Sequence, residues 1–172
     1  MGTENIKLGT CVITYDGTDL GLTSGGVEVT VETNTHGSTV DQFGETIVKE
    51  IITGRNVSVS VPMVETTIDN LVLIMPGASK VTDSTDSKKV KVEVSTSVGA
   101  DLRDSAKELI LKPVGVKNDL ENFVIPLAAT PGGINFAYML DQERIYQANF
   151  KGYPDENGLL FIYGDKTATA SA

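Results

Sequence analysis

Few residues in this chain could catalyse a reaction or bind a metal ion. His36 is the only histidine. A zinc site built from several histidines is therefore excluded, and a serine triad would have to use this one residue as its base. The residues around His36 are polar and include Gly37, which predicts an exposed loop. We interpret His36 as a loop residue without a catalytic role.

The remaining reactive groups are acidic pairs and one thiol. Asp16 with Asp19, and Asp83 with Asp86, lack the spacing of a calcium loop and are interpreted as solvated turn residues. Cys11 is the only cysteine, so an intrachain disulfide is excluded, and its apolar neighbours predict a small core residue. We expect no catalytic residue, no metal site and no cofactor, and predict that the protein is not an enzyme.

Composition and charge restrict the possible partners. The chain has 172 residues with 14 basic and 23 acidic side chains, a net charge of −9. No segment concentrates Lys or Arg into a stripe that could neutralise successive phosphates, so specific nucleic-acid binding is not expected. The first ten residues do not resemble an export signal, and no apolar run approaches the ~18 residues of a membrane span. We expect no membrane anchor.

Strict two-residue alternation predicts strands with one buried and one polar face. It is clearest over residues 26–34 and 55–64, where Pro62 indicates an edge or bulge position. Residues 46–53 are less regular and predict a bulge. Further strands are predicted over 90–95, 108–114, 123–128, 135–140 and 145–151. The inward-facing positions of the first two strands are Val27, Val29, Val31, Val57, Val59, Val61 and Met63.

The connections complete the predicted architecture. An apolar stripe predicts one helix over residues 67–75, and residues 80–89 are interpreted as a solvent loop. Residues 35–45 form an unusually long connection, which is typical of an interaction loop. Together these patterns predict a mainly β fold: a β-sandwich or barrel of two packed sheets with one flanking α-helix. The predicted single domain spans residues 1–164, and a flexible tail spans 165–172.

Several segments, in their order along the chain, resemble the tail tube proteins of long-tailed, non-contractile bacteriophages (siphophages). The resemblance covers most of the chain and is weakest over residues 79–118. The segments that carry it are residues 25–29, 40–46, 54–57, 75–77 and 145–155.

The resemblance implies a structural virion protein of the phage tail, assembled in the host cytoplasm. Members of the family form hexameric rings that stack into a hollow tube, through which the DNA passes without specific binding. The implied partners are further copies of the chain, a tape-measure protein, a tail terminator and a distal tail protein. The residues that would make inter-subunit or inter-ring contacts are Val40, Asp41, Gln42, Phe43, Gly44 and Glu45.

A polar strand face could line the channel of such a tube. The alternation alone is equally compatible with a face exposed to bulk solvent. The residues predicted to face the lumen are Glu28, Thr30, Glu32, Ser58 and Ser60.

Two other functions fit the sequence. One is an inner tube protein of a contractile tail or secretion system, which would share the fold and the ring assembly. The other is a monomeric immunoglobulin-like binding module, in which loops and not strand edges contact the partner. An enzyme would require turnover that depends on His36 or on a bound metal.

Overall fold

The computed structural model describes residues 6–169. This part of the chain is mainly β, as predicted, with one α-helix and one short 3-10 helix over Asp41–Phe43. The elements are β1 (Cys11–Tyr15), β2 (Thr18–Asp19), β3 (Glu28–Thr39), β4 (Ile47–Met63), α1 (Ile68–Ile74), β5 (Ala78–Thr82), β6 (Val90–Val94), β7 (Lys107–Pro113), β8 (Phe123–Ala129), β9 (Tyr146–Tyr153) and β10 (Ile162–Tyr163).

Two antiparallel sheets of unequal size contain these strands. The large sheet has eight strands in the order β2-β1-β7-β8-β9-β4-β3, with β10 paired to β8, and the small sheet is the β5–β6 hairpin. In the large sheet β7 and β8 separate β1 from β9, yet the rings of Tyr15 and Phe150 lie 4.9 Å apart. The Tyr15 hydroxyl also donates to the carbonyl of Ala128 at 3.1 Å. The large sheet therefore curls around its own core.

The core confirms the predicted alternation of β4. Val57, Val59 and Val61 are buried, while Ser58 between them is exposed. Pro62 lies two residues beyond Ser60, the last residue of β4 that pairs with β3. The Pro62 carbonyl accepts a hydrogen bond from the amide of Ser24 at 3.1 Å. The N–H and C=O groups of one strand residue point to the same side. The N–H that proline lacks would therefore point toward Ser24, where no strand of the sheet requires a donor.

The predicted helix is confirmed within a residue at each end. Thr67 is its N-cap, and its hydroxyl accepts from the amide of Asn70 at 3.2 Å. The buried side chain of Asn70 donates to the carbonyls of Leu20 and Glu65 at 3.1 and 3.0 Å. These hydrogen bonds attach the helix to the segment after β2 and to the segment that leaves β4.

The predicted long connection over 35–45 is wrong in extent. Residues 35–39 belong to β3, and residues 47–53 belong to β4, so the two strands form one long hairpin. The polar residues and the glycine of 35–39 are typical of a loop. They can form a strand here because both faces of the hairpin are exposed, so the strand requires no alternating apolar residues. The predicted bulge is confirmed, since the register shifts at two places and leaves Val48 and Thr53 without a partner.

Two smaller expectations are corrected. Residues 135–140 form no strand, although Phe136 packs partly against the core. The segment continues directly toward β9, and no strand of the described chain pairs with it. The predicted solvent loop over 80–89 is also too long, because its first residues complete β5.

The predicted domain begins at residue 1, and residues 165–172 were predicted to form a flexible tail. Residues 1–5 and 170–172 lie outside the described part of the chain. Within the predicted tail, Lys166 forms an ion pair with Glu108 at 2.7 Å. Among the described residues, no helix has the length and apolar character needed to cross a membrane.

Candidate assembly surface

A two-stranded arm extends from the curled sheet. We define the arm as residues 32–56, which comprise the end of β3, the tip and the first part of β4. β4 pairs with β9 only from Ser58 onward, so within the arm β3 and β4 pair only with each other. All side chains of the arm are exposed except Gly37, Ser38 and Gly54, which are half-buried. The rest of the described chain is called the body below.

Local contacts hold the two strands of the arm together. The Thr35 hydroxyl donates to the Glu50 carboxylate at 2.7 Å, and the Arg55 Nε donates to the Thr33 hydroxyl at 3.1 Å. A Cβ on Gly37 would lie 3.0 Å from the side chain of Ile47, so the glycine allows that isoleucine to lie across the strand. Such exposed contacts are weak, and an isolated two-stranded hairpin is marginally stable in water.

The arm exposes apolar side chains on both faces. The register places Ile52 opposite Thr35 and Ile47 opposite Thr39 on one face, and Ile51 on the other. Ile47 is 56% exposed and Ile52 is 58% exposed. Contiguous exposed apolar surface of this kind marks interaction sites in soluble proteins. The arm therefore has surface that only another molecule could bury.

The predicted contact residues 40–45 lie together at the tip of the arm. The chain turns through the 3-10 helix, where the amide of Phe43 donates to the carbonyl of Val40 at 3.0 Å. Gly44 ends the turn with a φ of 61°, a conformation that favours glycine. All six tip residues are exposed, and Phe43 is 66% exposed. Whether these residues contact a neighbouring subunit remains a prediction.

The predicted lumen residues lie together on one face of the large sheet, where the arm joins the body. Glu28 is opposite Ser60, and Thr30 is opposite Ser58, with Glu32 next along β3. This polar face lies on the other side of the sheet from the buried valines of β4, because successive strand residues point to opposite sides.

Sequence reasoning missed the continuation of this polar face onto β9. Lys151 is opposite Ser58 and Asn149 is opposite Ser60. The Gln147 side chain donates to the Ser60 hydroxyl. The alternation of β9, in which Tyr146, Ala148 and Phe150 are buried, was a signal that could have found these residues. Lys151 adds a positive charge to this face, on which the predicted charged residues, Glu28 and Glu32, are both acidic.

The large sheet is open at β3. In the described chain β3 pairs with β4 on one side only, over its full twelve residues. The opposite end of the sheet, β2, has two residues. Val29 and Val31 are exposed on the core side of β3, because the sheet ends there. A long open edge with exposed valines is a template for pairing with another chain.

The groups examined for chemistry lie apart from one another. Across residues 6–169, no three His, Cys, Asp or Glu side chains are arranged to hold a metal ion. His36 is exposed, but in strand β3 and not in the predicted loop. Cys11 is half-buried, and this burial raises the pKa of its thiol.

The predicted turn role is confirmed for Asp16, Asp83 and Asp86, whereas Asp19 is the last residue of β2 and accepts a hydrogen bond from the turn that follows. The Asp19 carboxylate accepts from the amide of Gly21 at 2.8 Å. The Asp83 carboxylate accepts from the hydroxyl and amide of Thr85 and from the amide of Asp86, and these hydrogen bonds lower the pKa of Asp83. Each carboxylate stabilises its own turn and leaves no preformed ligand set.

Comparison with known proteins gives a likeness among solved structures but none among sequences. No protein-family model matches the chain, and no curated protein matches it. Among solved structures, a chain of the virion of a native gene transfer agent (GTA) particle is similar, with a TM-score of 0.45 and 12% sequence identity. The match covers 90% of this chain and 95% of that chain.

Proposed function

We propose that this protein is the structural subunit of a hollow tube, the tail tube of a long non-contractile phage tail. The observation that carries the proposal is the arm, which exposes isoleucines on both faces and Phe43 at its tip. A monomer gains nothing from an exposed apolar hairpin, whereas a subunit that buries the hairpin against its neighbours gains about 25 cal/mol for each Å² buried.

The open edge of the large sheet supports the same assembly. If β3 pairs with a neighbouring copy, its unpaired backbone groups and the exposed Val29 and Val31 become covered. Repetition of one such contact around an axis gives a closed ring, since a head-to-tail interface closes when its rotation divides the circle. The resemblance to tail tube proteins favours six copies in each ring.

The polar face of the large sheet fits the wall of a channel. Glu28, Thr30 and Glu32 share this face with Ser58 and Ser60, and the core lies on its other side. Two carboxylates against the single ammonium of Lys151 would leave the wall negative on balance, so that it repels the phosphates of DNA. In this proposal DNA passes through the tube without specific binding.

The location and the other partners follow from the resemblance. The protein would be part of the virion tail and would assemble in the host cytoplasm. A tape-measure protein would occupy the lumen during assembly, and a tail terminator and a distal tail protein would bind the two ends. An inner tube of a contractile tail or secretion system would use the same surfaces.

The first test is the assembly state of the purified protein. We expect light scattering over a concentration series to show association, and negative-stain electron microscopy to show sixfold rings or hollow tubes. A matched variant replaces residues 40–45 with Asn-Gly, which closes the hairpin with a tight turn. We expect this variant to keep its fold and lose its tubes. A wild-type protein that stays monomeric at millimolar concentration would contradict the proposal and favour a monomeric binding module.

The charge of the polar face can be tested separately. Replacing Glu28 and Glu32 with Lys should leave the body folded, because both side chains are exposed. In assembled particles the added positive charge should slow the release of DNA, most strongly at low salt. The control reverses Glu156, an exposed carboxylate in the turn after β9. DNA release that is the same in both variants would show that the polar face does not line the channel.

A further inference from the structure

A second exposed apolar cluster lies in the segment before β9. We define the knob as residues 138–143. Tyr138 is 79% exposed, and Met139 and Leu140 follow it with 55% and 105% exposure. No strand or helix includes these residues. The body therefore carries its own apolar surface, separate from the arm.

Aromatic contacts fix the position of the knob on the body. The ring of Tyr138 packs edge-on against Phe136 at 5.4 Å, and Phe136 packs against Tyr146 at 5.1 Å. The guanidinium of Arg144 lies 5.3 Å from the centre of the Tyr138 ring. Since Tyr146 begins β9, these contacts hold the knob at the start of that strand.

The knob and the arm lie at opposite ends of β4. Tyr146 pairs with Met63, the last residue of β4, whereas Ile51 lies twelve residues earlier in the same strand. At a rise of about 3.3 Å per residue, roughly 40 Å separates the two positions. The two apolar surfaces therefore cannot cover each other within one chain. They can meet when copies are arranged head to tail.

The charges of the two surfaces are complementary. The arm face that carries Ile51 also carries Lys49, which the register places opposite Ser38, and His36, which it places opposite Ile51. The one carboxylate on this face of the two strands, Glu32, lies at the base of the arm, four residues before His36. The knob carries Asp141 and Glu143, and the guanidinium of Arg144, the next residue, lies over the Tyr138 ring. Among the described residues, Lys49, Asp141 and Glu143 take part in no salt bridge.

We propose that the arm of one copy docks on the knob of the next copy, with Ile51 against Met139 and Leu140 and Lys49 near Asp141 and Glu143. This inference rests on the proposed function, because it requires copies that assemble head to tail. It goes further by naming the receptor of the arm. Because the arm and the knob are different surfaces, a stack always ends in a free arm on one side and a free knob on the other, so the contact can repeat with each added copy.

Charge reversal with rescue tests the docking. Lys49→Glu alone, and Asp141→Lys with Glu143→Lys, should each raise the concentration needed for assembly roughly tenfold or more, since close interfacial charge pairs contribute at least a factor of this size. The combined triple variant should assemble near the wild-type concentration. Lys117→Glu reverses an exposed lysine outside both surfaces and should have no effect. A triple variant as defective as the single reversal would overturn the pairing.

A cysteine cross-link tests the same contact directly. In a Cys11→Ser background, protein with Ile51→Cys is mixed with protein carrying Leu140→Cys and oxidised mildly. We expect an intermolecular disulfide between the two proteins. The control partner carries Leu120→Cys, an exposed leucine elsewhere on the body, and should not react. Equal yields with both partners, or none with either, would overturn the proposal.

The outcomes separate this inference from the proposed function. Wild-type tubes that tolerate every knob variant and give no cross-link would leave the tube function standing and remove the knob as the receptor. A wild-type protein that never associates would remove both.

Discussion

The body and the arm share one strand, yet they differ in what stabilises them. In β4, Val57, Val59 and Val61 are buried in the core, whereas Ile47, Ile51 and Ile52 are exposed. Both parts of the strand are rich in β-branched residues, so residue type does not distinguish them. The body buries its apolar side chains within the chain, and the arm requires another molecule to bury its own.

The difference separates folding from assembly. A substitution in the body should change the free energy of unfolding of the monomer, because it removes contacts that the single chain makes. A substitution in the arm should leave that quantity nearly unchanged and act on association. Pairs of similar substitutions, one in each region, test this division.

The largest difference is expected for two phenylalanines. Phe150 is fully buried and packs against Tyr15, so Phe150→Ala should reduce the free energy of unfolding by about 3–5 kcal/mol. Phe43 is exposed at the tip of the arm, and Phe43→Ala should change the free energy of unfolding by less than about 0.5 kcal/mol. Urea denaturation of the monomeric proteins measures both values.

The exposed Phe43 should matter for assembly although it does not matter for monomer stability. Phe43→Ala should weaken tube formation, measured by light scattering at matched concentration, although the monomer is as stable as wild type. If Phe43→Ala destabilised the monomer as much as Phe150→Ala, the arm would be part of the folded core and the division would be wrong.

A smaller difference is expected for two glycines. In Gly152→Ala the new Cβ would clash with the Val57 side chain and lie 3.0 Å from Ile125, so the core must shift at a cost of about 1–3 kcal/mol. In Gly54→Ala the nearest atom is the Asn34 amide nitrogen at 4.0 Å, and alanine should be tolerated. The shift in the denaturation midpoint compares the two variants. Equal shifts would show that the strand at Gly54 is packed as tightly as the body.

The smallest difference is expected for two threonines. Thr67 caps α1, and Thr67→Ala should cost about 1 kcal/mol because the amide of Asn70 loses its acceptor. Thr35→Ala removes an exposed hydrogen bond to Glu50, and the expected cost is below about 0.5 kcal/mol. Thr67→Ser keeps the cap and should restore most of the stability. A larger loss for Thr35→Ala would mean that the arm contributes to monomer stability.

The reading of the sequence was most accurate where local chemistry decides the structure. The helix ends were found because Thr67 can cap the first turn and Pro76-Gly77 follows the last one. The buried face of 57–63 was found because strict alternation has only one explanation in a half-buried strand. The predicted strand over 135–140 was wrong because a strand needs a partner strand to pair with, and a local pattern cannot show whether one is in place.

The candidate site was predicted in part. The six tip residues and the five residues of the polar face were named from the sequence, and the register brings each set together. The extent of the arm was missed, because its exposed residues in 35–39 lack the alternation that marks a half-buried strand. The knob was missed because its apolar side chains resemble core residues in the sequence.

The sequence by itself determined the mainly β class, the single helix, the buried alternation of β4 and the lack of a histidine-rich metal site. These follow from residue types and from spacing along the chain. Only the tertiary structure decided that the apolar residues of 47–52 and 138–140 are exposed. It also decided that the first group lies at the start of β4, whereas the second lies near the end of β4, beside the start of β9. The physical reason is that burial depends on which other segments pack against a residue, and in both places no other described segment does.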